Sequence, residues 1–292
     1  MVGDIIQPLT FLACKGEKIM NKFEGILICT DLDGTLLRND KSISSENTEA
    51  IEYFKKEGGL FTIVTGRMPH VSFEICKNAK INAPFGCING GGLYDYHKGE
   101  YIWTAETPVG VNELIRVIDE NFPNVGIQVN TFYKTYFSKD NIVMEHFRRI
   151  TNAPNLVMNY KDIKEPIAKI LFGIATEEEM QKVIKVLNNH PLSSEFDFVR
   201  SEKSLYEILP KGIGKGTSLI KLCEYLNIDR KKTIAVGDYN NDISMFNTAG
   251  VGIAVSNACD DAKNAADFIT VSNEEHAIAK VIYDLEKGKY IL

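Results

Sequence analysis

The stretch Ile26-Leu27-Ile28-Cys29-Thr30-Asp31-Leu32-Asp33-Gly34-Thr35-Leu36-Leu37 joins a short apolar run to a sudden polar turn. The run from Ile26 to Cys29 reads as a strand buried on both faces. Asp31 and Asp33 follow one residue apart where that strand runs out. Two like charges near a buried strand raise each other's pKa and are costly, so a cation is expected between them. Mg²⁺ suits the position, because it binds through one or two carboxylates and keeps other sites for water or a phosphate. A plain strand-end turn, with Asp and Gly as turn formers, is the other reading of this stretch alone.

Working outward, the same rhythm repeats. After a polar loop, Ser44 or Ser45 caps a helix whose Ala50, Ile51 and Phe54 recur at helical spacing, and Gly58-Gly59 stop it. Leu60–Val64 is a second buried strand, ending in Thr65-Gly66-Arg67; Pro69–Ala79 is a helix; Phe85–Ile88 is a third strand, ending in Asn89-Gly90-Gly91-Gly92. Strand and helix alternate with short connections, which predicts a Rossmann-like, doubly wound parallel sheet with ligands at the carboxyl edge. The pattern changes over 92–209, where short aromatic-rich strands and two helices, Val111–Asn121 and Glu177–Asn189, predict an inserted α+β unit. The first rhythm then resumes with a helix from Lys215, a strand Thr233–Val236 ending in Gly237-Asp238, and a strand Val251–Val255. The fold class is therefore α/β, with a core of 21–91 plus 210–292, a cap domain of 92–209, and a loosely ordered leader of 1–20.

Composition narrows the function. The chain has 292 residues, 44% hydrophobic and 25% charged, with a formal net charge of −6. Without a basic block, nucleic acid and anionic membranes are not expected partners, and no apolar run approaches the roughly 18 residues of a membrane span. The leader lacks the basic segment and apolar length of a signal peptide. The six cysteines are scattered without a Cys-x-x-Cys pair, as expected for buried thiols in a reducing cytoplasm. His70, His97, His146, His190 and His276 show no metal-ligand spacing. No obligate protein partner is evident.

Polar groups from distant segments would meet at one sheet edge: Asp31 and Asp33, the Thr65 hydroxyl with the Gly66 amide, Lys215 at a helix start, and Asp238 and Asp242 of Gly-Asp-Tyr-Asn-Asn-Asp. Acids around a metal, with a lysine and a hydroxyl opposite, are what phosphoryl transfer requires. Each has a duller reading by itself: a strand-to-helix turn for Thr65-Gly66-Arg67, a solvated lysine, or helix capping by Asp.

In order, Asp31-Leu32-Asp33-Gly34-Thr35, Thr65-Gly66-Arg67, Lys215-Gly216 and Gly237-Asp238-Tyr239-Asn240-Asn241-Asp242 resemble the four motifs of the haloacid dehalogenase-like hydrolase superfamily. Ile88-Asn89-Gly90-Gly91, Glu207-Ile208-Leu209-Pro210 and Val251-Gly252-Ile253-Ala254 look like its Cof-type sugar-phosphatase branch. The resemblance implies a Mg²⁺-dependent phosphatase of small phosphorylated metabolites, with Asp31 as nucleophile and Asp33 as acid and base. It further implies that Thr65, Gly66, Lys215 and Asn241 hold the phosphate. Asp31, the Asp33 carbonyl and Asp238 would bind the metal, with Asp242 in support. Ser256 and His276 depart from the branch's usual glycines without removing a catalytic group. A phosphomutase is the alternative, but it needs a second, basic phosphate site; a non-catalytic sensor would be expected to have lost a motif, and none is lost. Phe132, Tyr133, Lys134, Tyr136 and Arg200 lie on or beside cap strands and are equally open to facing the cleft, to cap packing or to solvated surface, so none is singled out as a substrate contact.

Overall fold

The structure, a computed structural model, describes residues 21–151 and 153–292; the expectation of a loose leader over 1–20 falls outside them. In chain order the elements are β1 (Leu27–Thr30), α1 (Ser45–Lys56), β2 (Leu60–Ile63), α2 (Phe73–Asn78), β3 (Phe85–Cys87), β4 (Gly92–Asp95) and β5 (Glu100–Thr104). Then come α3 (Val111–Asn121), β6 (Gly126–Thr131), β7 (Thr135–Lys139), α4 (Ile142–Thr151), β8 (Leu156–Val157), β9 (Ile167–Gly173), α5 (Glu177–Asn188), β10 (Phe196–Glu202) and β11 (Leu205–Pro210). The last are α6 (Lys215–Leu226), β12 (Thr233–Gly237), α7 (Ile243–Phe246), β13 (Val251–Ala254), α8 (Asp260–Ala265), β14 (Phe268–Ile269) and α9 (Ala277–Glu286).

A parallel sheet of order β14-β13-β12-β1-β2 forms the centre. Every residue of β1, β12 and β13 is buried, as expected of strands covered by helices on both faces. Ser44 caps α1 by accepting from the Asn47 N–H, and the Asn47 side chain ties α1 to α9 by accepting from the Ala279 N–H at 2.9 Å. The strand order reverses beside β1, so the end of β1 lies at the crevice where such sheets bind ligands.

Two details of the core differ from the sequence reading. Phe85–Cys87 does not continue the parallel sheet. It touches it through one bridge, Val64 to Gly86, and otherwise pairs antiparallel in a three-stranded sheet β3-β4-β5. The tight Gly90-Gly91-Gly92 return lets β4 fold straight back on β3 and take its hydrogen bonds. Leu93 and Tyr94 thereby join the core cluster, so residues 92–104 pack with the core rather than with the unit inserted after them. The helix expected over 69–79 is a 3₁₀ turn, Pro69–Val71, followed by the shorter α2.

The inserted unit is a six-stranded sheet of order β10-β11-β9-β6-β7-β8, antiparallel except for β7 with β8. Its alternation is legible along β9: Ile170 and Phe172 pack with α3 and α5, while Lys169 and Leu171 point to the other face. On β11, Tyr206 and Ile208 join that main cluster and Leu205 joins the other face, which carries Glu207 by the same alternation. That second face is partly covered by α4, a helix absent from the sequence reading, and otherwise looks toward the core. Among the described residues no helix is long and apolar enough to cross a membrane.

Candidate active site

Asp31 stands just past β1, its N–H donating to the Val236 carbonyl at 2.8 Å, so that the side chain is fixed by the central pairing of the sheet. The chain then turns at Gly34 with φ +80°, where a Cβ would lie 2.5 Å from the Asp238 carboxylate. Only glycine allows the β1 and β12 loops to approach so closely. Thr35 donates to Asp238 Oδ1 at 3.0 Å across the same gap.

Asp31, Asp238 and Asp242 each bring a carboxylate oxygen within 4.8 Å of the others. Lys215, the first residue of α6, is 1% exposed, and its Nζ donates to Asp31 Oδ1 and Asp242 Oδ1, both at 2.5 Å. The other Asp242 oxygen accepts from the Asp238 and Tyr239 N–H groups at 2.9 and 3.0 Å. Asp242 is therefore spent on holding the loop and the lysine. Burial pushes the Asp31 carboxyl up to about 7; Lys215 pulls it back, while Asp242 and Asp33 add to the rise. Asp238 is pushed up to about 9, first by burial and then by Asp31 and Asp242. On Lys215 burial acts downward, but Asp242 and Asp31 outweigh it and hold the ammonium above its ordinary range. The donor set fits Mg²⁺: hard oxygens, close together, with more negative charge than one ammonium neutralises.

Asp33 lies outside this triad. Arg67 holds its carboxylate through both oxygens at 2.8 Å, and Lys41 adds a third contact at 2.8 Å. Burial acts to raise its pKa, but these cations win and bring it to about 2. The two acids are thus split in the sense opposite to that of a nucleophile and a proton donor. A dication on the triad would lower Asp31, and release from Arg67 would free Asp33 to take a proton.

Thr65 is 1% exposed and its Oγ1 accepts from the Arg67 N–H at 3.2 Å. The Gly66 carbonyl accepts from Lys169 Nζ at 2.8 Å, and Asn241 Nδ2 donates to Asn89 Oδ1 at 3.0 Å. Asp31, Asp33, Thr65, Gly66, Asp238 and Asn241 line one wall of a cleft of about 430 Å³; Phe147, Ile150, Lys169, Ser201, Glu202 and Glu207 line the other from the inserted unit. Lys215 and Asp242 sit behind the wall, reaching the cleft through Asp31.

The cap residues left open between cleft, packing and surface fall outside the cleft. Phe132 packs in the core cluster, Tyr136 donates to Glu165, and Arg200 is held by Glu177; none of the five candidates lines the cleft. The side chains that do so from β9, β10, β11 and α4 carry no local spacing signal. Arg67 was visible in its motif, yet its partner, 34 residues away, was not.

With this geometry in view, four similarities bear on the chain. A family model described as haloacid dehalogenase-like hydrolase matches residues 28–282. The chain is 27% identical over 261 residues to the 5-amino-6-(5-phospho-D-ribitylamino)uracil phosphatase YitU of Bacillus subtilis (strain 168), covering 88% of this chain and 96% of that one. It is 28% identical over 298 residues to YwtE, named for the same activity in that organism, covering 90% and 99%. In structure it resembles a haloacid dehalogenase-like hydrolase from Bacteroides thetaiotaomicron, at 27% identity and a TM-score of 0.75, covering 89% of this chain and 99% of that one.

Proposed function

The chain belongs to the haloacid dehalogenase-like hydrolases, and from that premise we propose that it is a cytoplasmic, Mg²⁺-dependent phosphatase of small phosphorylated metabolites, sugar phosphates foremost. One observation carries the reading: Asp31, pinned by buried Lys215 at 2.5 Å, faces a cleft beside Thr65 and within 4.8 Å of a second acid, Asp238. The core, 21–91 with 210–292, supplies the chemistry, and the unit inserted within 92–209 selects the substrate as a cap.

A carboxylate oxygen of Asp31 attacks phosphorus, the bond to the leaving oxygen breaks, and Asp33 gives that oxygen its proton. Water then attacks the aspartyl-phosphate, Asp33 takes the water's proton, and Asp31 is regenerated with release of phosphate. Thr65, the Gly66 amide and Asn241 offer donors to the phosphate oxygens, and Lys215 holds Asp31 in place as an ion-paired nucleophile. Asp31, Asp238 and the Asp33 carbonyl would hold Mg²⁺, with Asp242 in support; when bound it would neutralise charge that builds on the transferring group.

The cleft supports hydrolysis over mutase chemistry. Arg38, Lys41, Arg67 and Lys169 line it already paired with Glu274, Asp33 and Glu207, and Lys203 joins them from the turn between β10 and β11, so a second phosphate would meet a single lysine there rather than a basic cluster. The named activity of YitU and YwtE, on a phosphorylated ribityl chain, is in keeping with a polyol-bearing leaving group. Phosphate release from a panel of sugar phosphates, nucleotides and phosphorylated cofactors, with Mg²⁺, tests the proposal. Release should vanish in Asp31→Asn while the fold is kept; an unchanged rate in that variant would remove Asp31 from the chemistry.

A further inference from the structure

Lys169 and Glu207 form an ion pair at 2.7 Å with side chains only 5% and 3% exposed. Removing two charges from water is costly, and the cap fold does not need the pair: both lie on the face of the sheet turned away from its main hydrophobic cluster. The contacts they make instead run to the core. Lys169 Nζ also donates to the Gly66 carbonyl at 2.8 Å, and Glu207 Oε2 accepts from Asn89 Nδ2 at 2.8 Å. Asn89 Oδ1 in turn accepts from Asn241 at 3.0 Å.

We infer that Lys169 and Glu207 are positioning residues which aim the phosphate donors Thr65 and Asn241 from the cap, through Gly66 and Asn89. The first arm works through a single peptide plane. Because that plane is rigid and trans, a lysine that fixes the Gly66 carbonyl also fixes the Arg67 N–H on its opposite side. That N–H donates to Thr65 Oγ1, so the hydroxyl is held as an acceptor and its own proton is left for the cleft. The second arm orients the Asn241 amide through Asn89. Gly66 packs so closely against Asn89 that a Cβ there would lie 2.8 Å from Asn89 Oδ1, which locks the two arms together. Ile88 and Asn89 both hold positive φ, at 58° and 49°, a strained pair for a β-branched residue and its neighbour. The strain sits where the two arms join. Docking of the cap thus sets the donors that grip phosphate, besides excluding water.

The inference rests on the phosphatase reading, and the test separates the two. Lys169→Met, Lys169→Arg and Glu207→Gln, each in the full chain with Mg²⁺, are compared with wild type for phosphate release from acetyl phosphate, whose leaving group is too small to use the cap. Binding of inorganic phosphate is measured alongside by calorimetry. Lys169→Met and Glu207→Gln should each weaken phosphate binding and lower kcat by about 10- to 100-fold, with partial rescue in Lys169→Arg. Phosphate affinity within about twofold of wild type in both variants, with only the melting temperature lowered, would overturn the inference. So would tighter phosphate binding in Glu207→Gln with weaker binding in Lys169→Met, since the lysine would then be a direct phosphate ligand. If Lys169→Met does not fold, the near-isosteric Glu207→Gln decides. If wild type releases no phosphate from any donor, the phosphatase reading fails, and phosphate binding alone still judges the positioning.

Discussion

Raising the pH should destabilise the metal-free protein, and Mg²⁺ should abolish the effect. The perturbation acts on the triad of Asp31, Asp238 and Asp242, where three carboxylates share one ammonium. Asp31 and Asp238 lie at about 7 and about 9, against 3.8 for an ordinary aspartate. Between those limits the folded chain keeps protons that the unfolded chain has lost, so stability falls as pH rises. The penalty is absent below 3.8 and complete once the folded-state values are passed. Each retained proton contributes a slope of about −1.4 kcal/mol per pH unit. His70, whose pKa burial lowers, acts in the opposite sense only below its ordinary 6.5, and Asp33 loses its stabilising share only as pH falls toward 2. Glu202 and the buried thiols, also raised, act in the triad's sense. A scan from about pH 6.5 to about pH 8 lies between their ordinary values of 4.5 and 9.0 and so weights the triad, where one retained proton gives a loss of about 2 kcal/mol. For a chain of this size that lowers the melting temperature by about 3 °C. Melting curves in EDTA and in excess Mg²⁺ measure it. Mg²⁺ displaces the proton, so it should flatten the slope and stabilise more at the upper pH. A melting temperature that is level or rises with pH in EDTA, or a Mg²⁺ effect of equal size at both ends, would refute the reasoning.

Lys215→Ala should lose about 2–4 kcal/mol of transition-state stabilisation, seen as a fall in kcat/KM for any substrate of the panel; a loss below about threefold would mean that the ion pair does not steer the nucleophile. Arg67→Met should let Asp33 rise from about 2 toward the usual carboxylate range, moving the basic limb of the kcat profile upward; an unmoved limb would separate Asp33 from proton transfer.

The four segments that build the site were legible because each ends a strand or opens a helix, and strand ends announce themselves as polar residues after an apolar run. Lys215 gave no sign of its burial: one lysine at a helix start looks alike whether solvated or enclosed, and its partners are 184 and 27 residues away. Lys169 and Glu207 were hidden for the same reason, being charged residues on strands whose partners lie 103 and 118 residues off in another layer. Helix α4 was missed although its cue was present, since Asn141 caps it by accepting from the Met144 N–H at 2.9 Å. The contiguous Ile142-Val143-Met144 blurred the helical period there. The departure of Phe85–Cys87 from the parallel sheet could not be read at all, because a strand's local pattern does not say which edge it will join.

The order of strands also governs when the site can exist. β1 lies between β2, its near neighbour in the chain, and β12, and Thr35 meets Asp238 across 203 residues. During synthesis the first acids emerge long before the strand that completes their surroundings, and the whole inserted unit is made in between. Closing so long a loop is entropically slow, whereas that unit has its own sheet and hydrophobic cluster, from which folding ahead of the pairing is expected. On that expectation the nascent chain has the inserted unit in place before the acids of β1 meet Asp238, and the site is complete only when the final third of the polypeptide slots in beside the first.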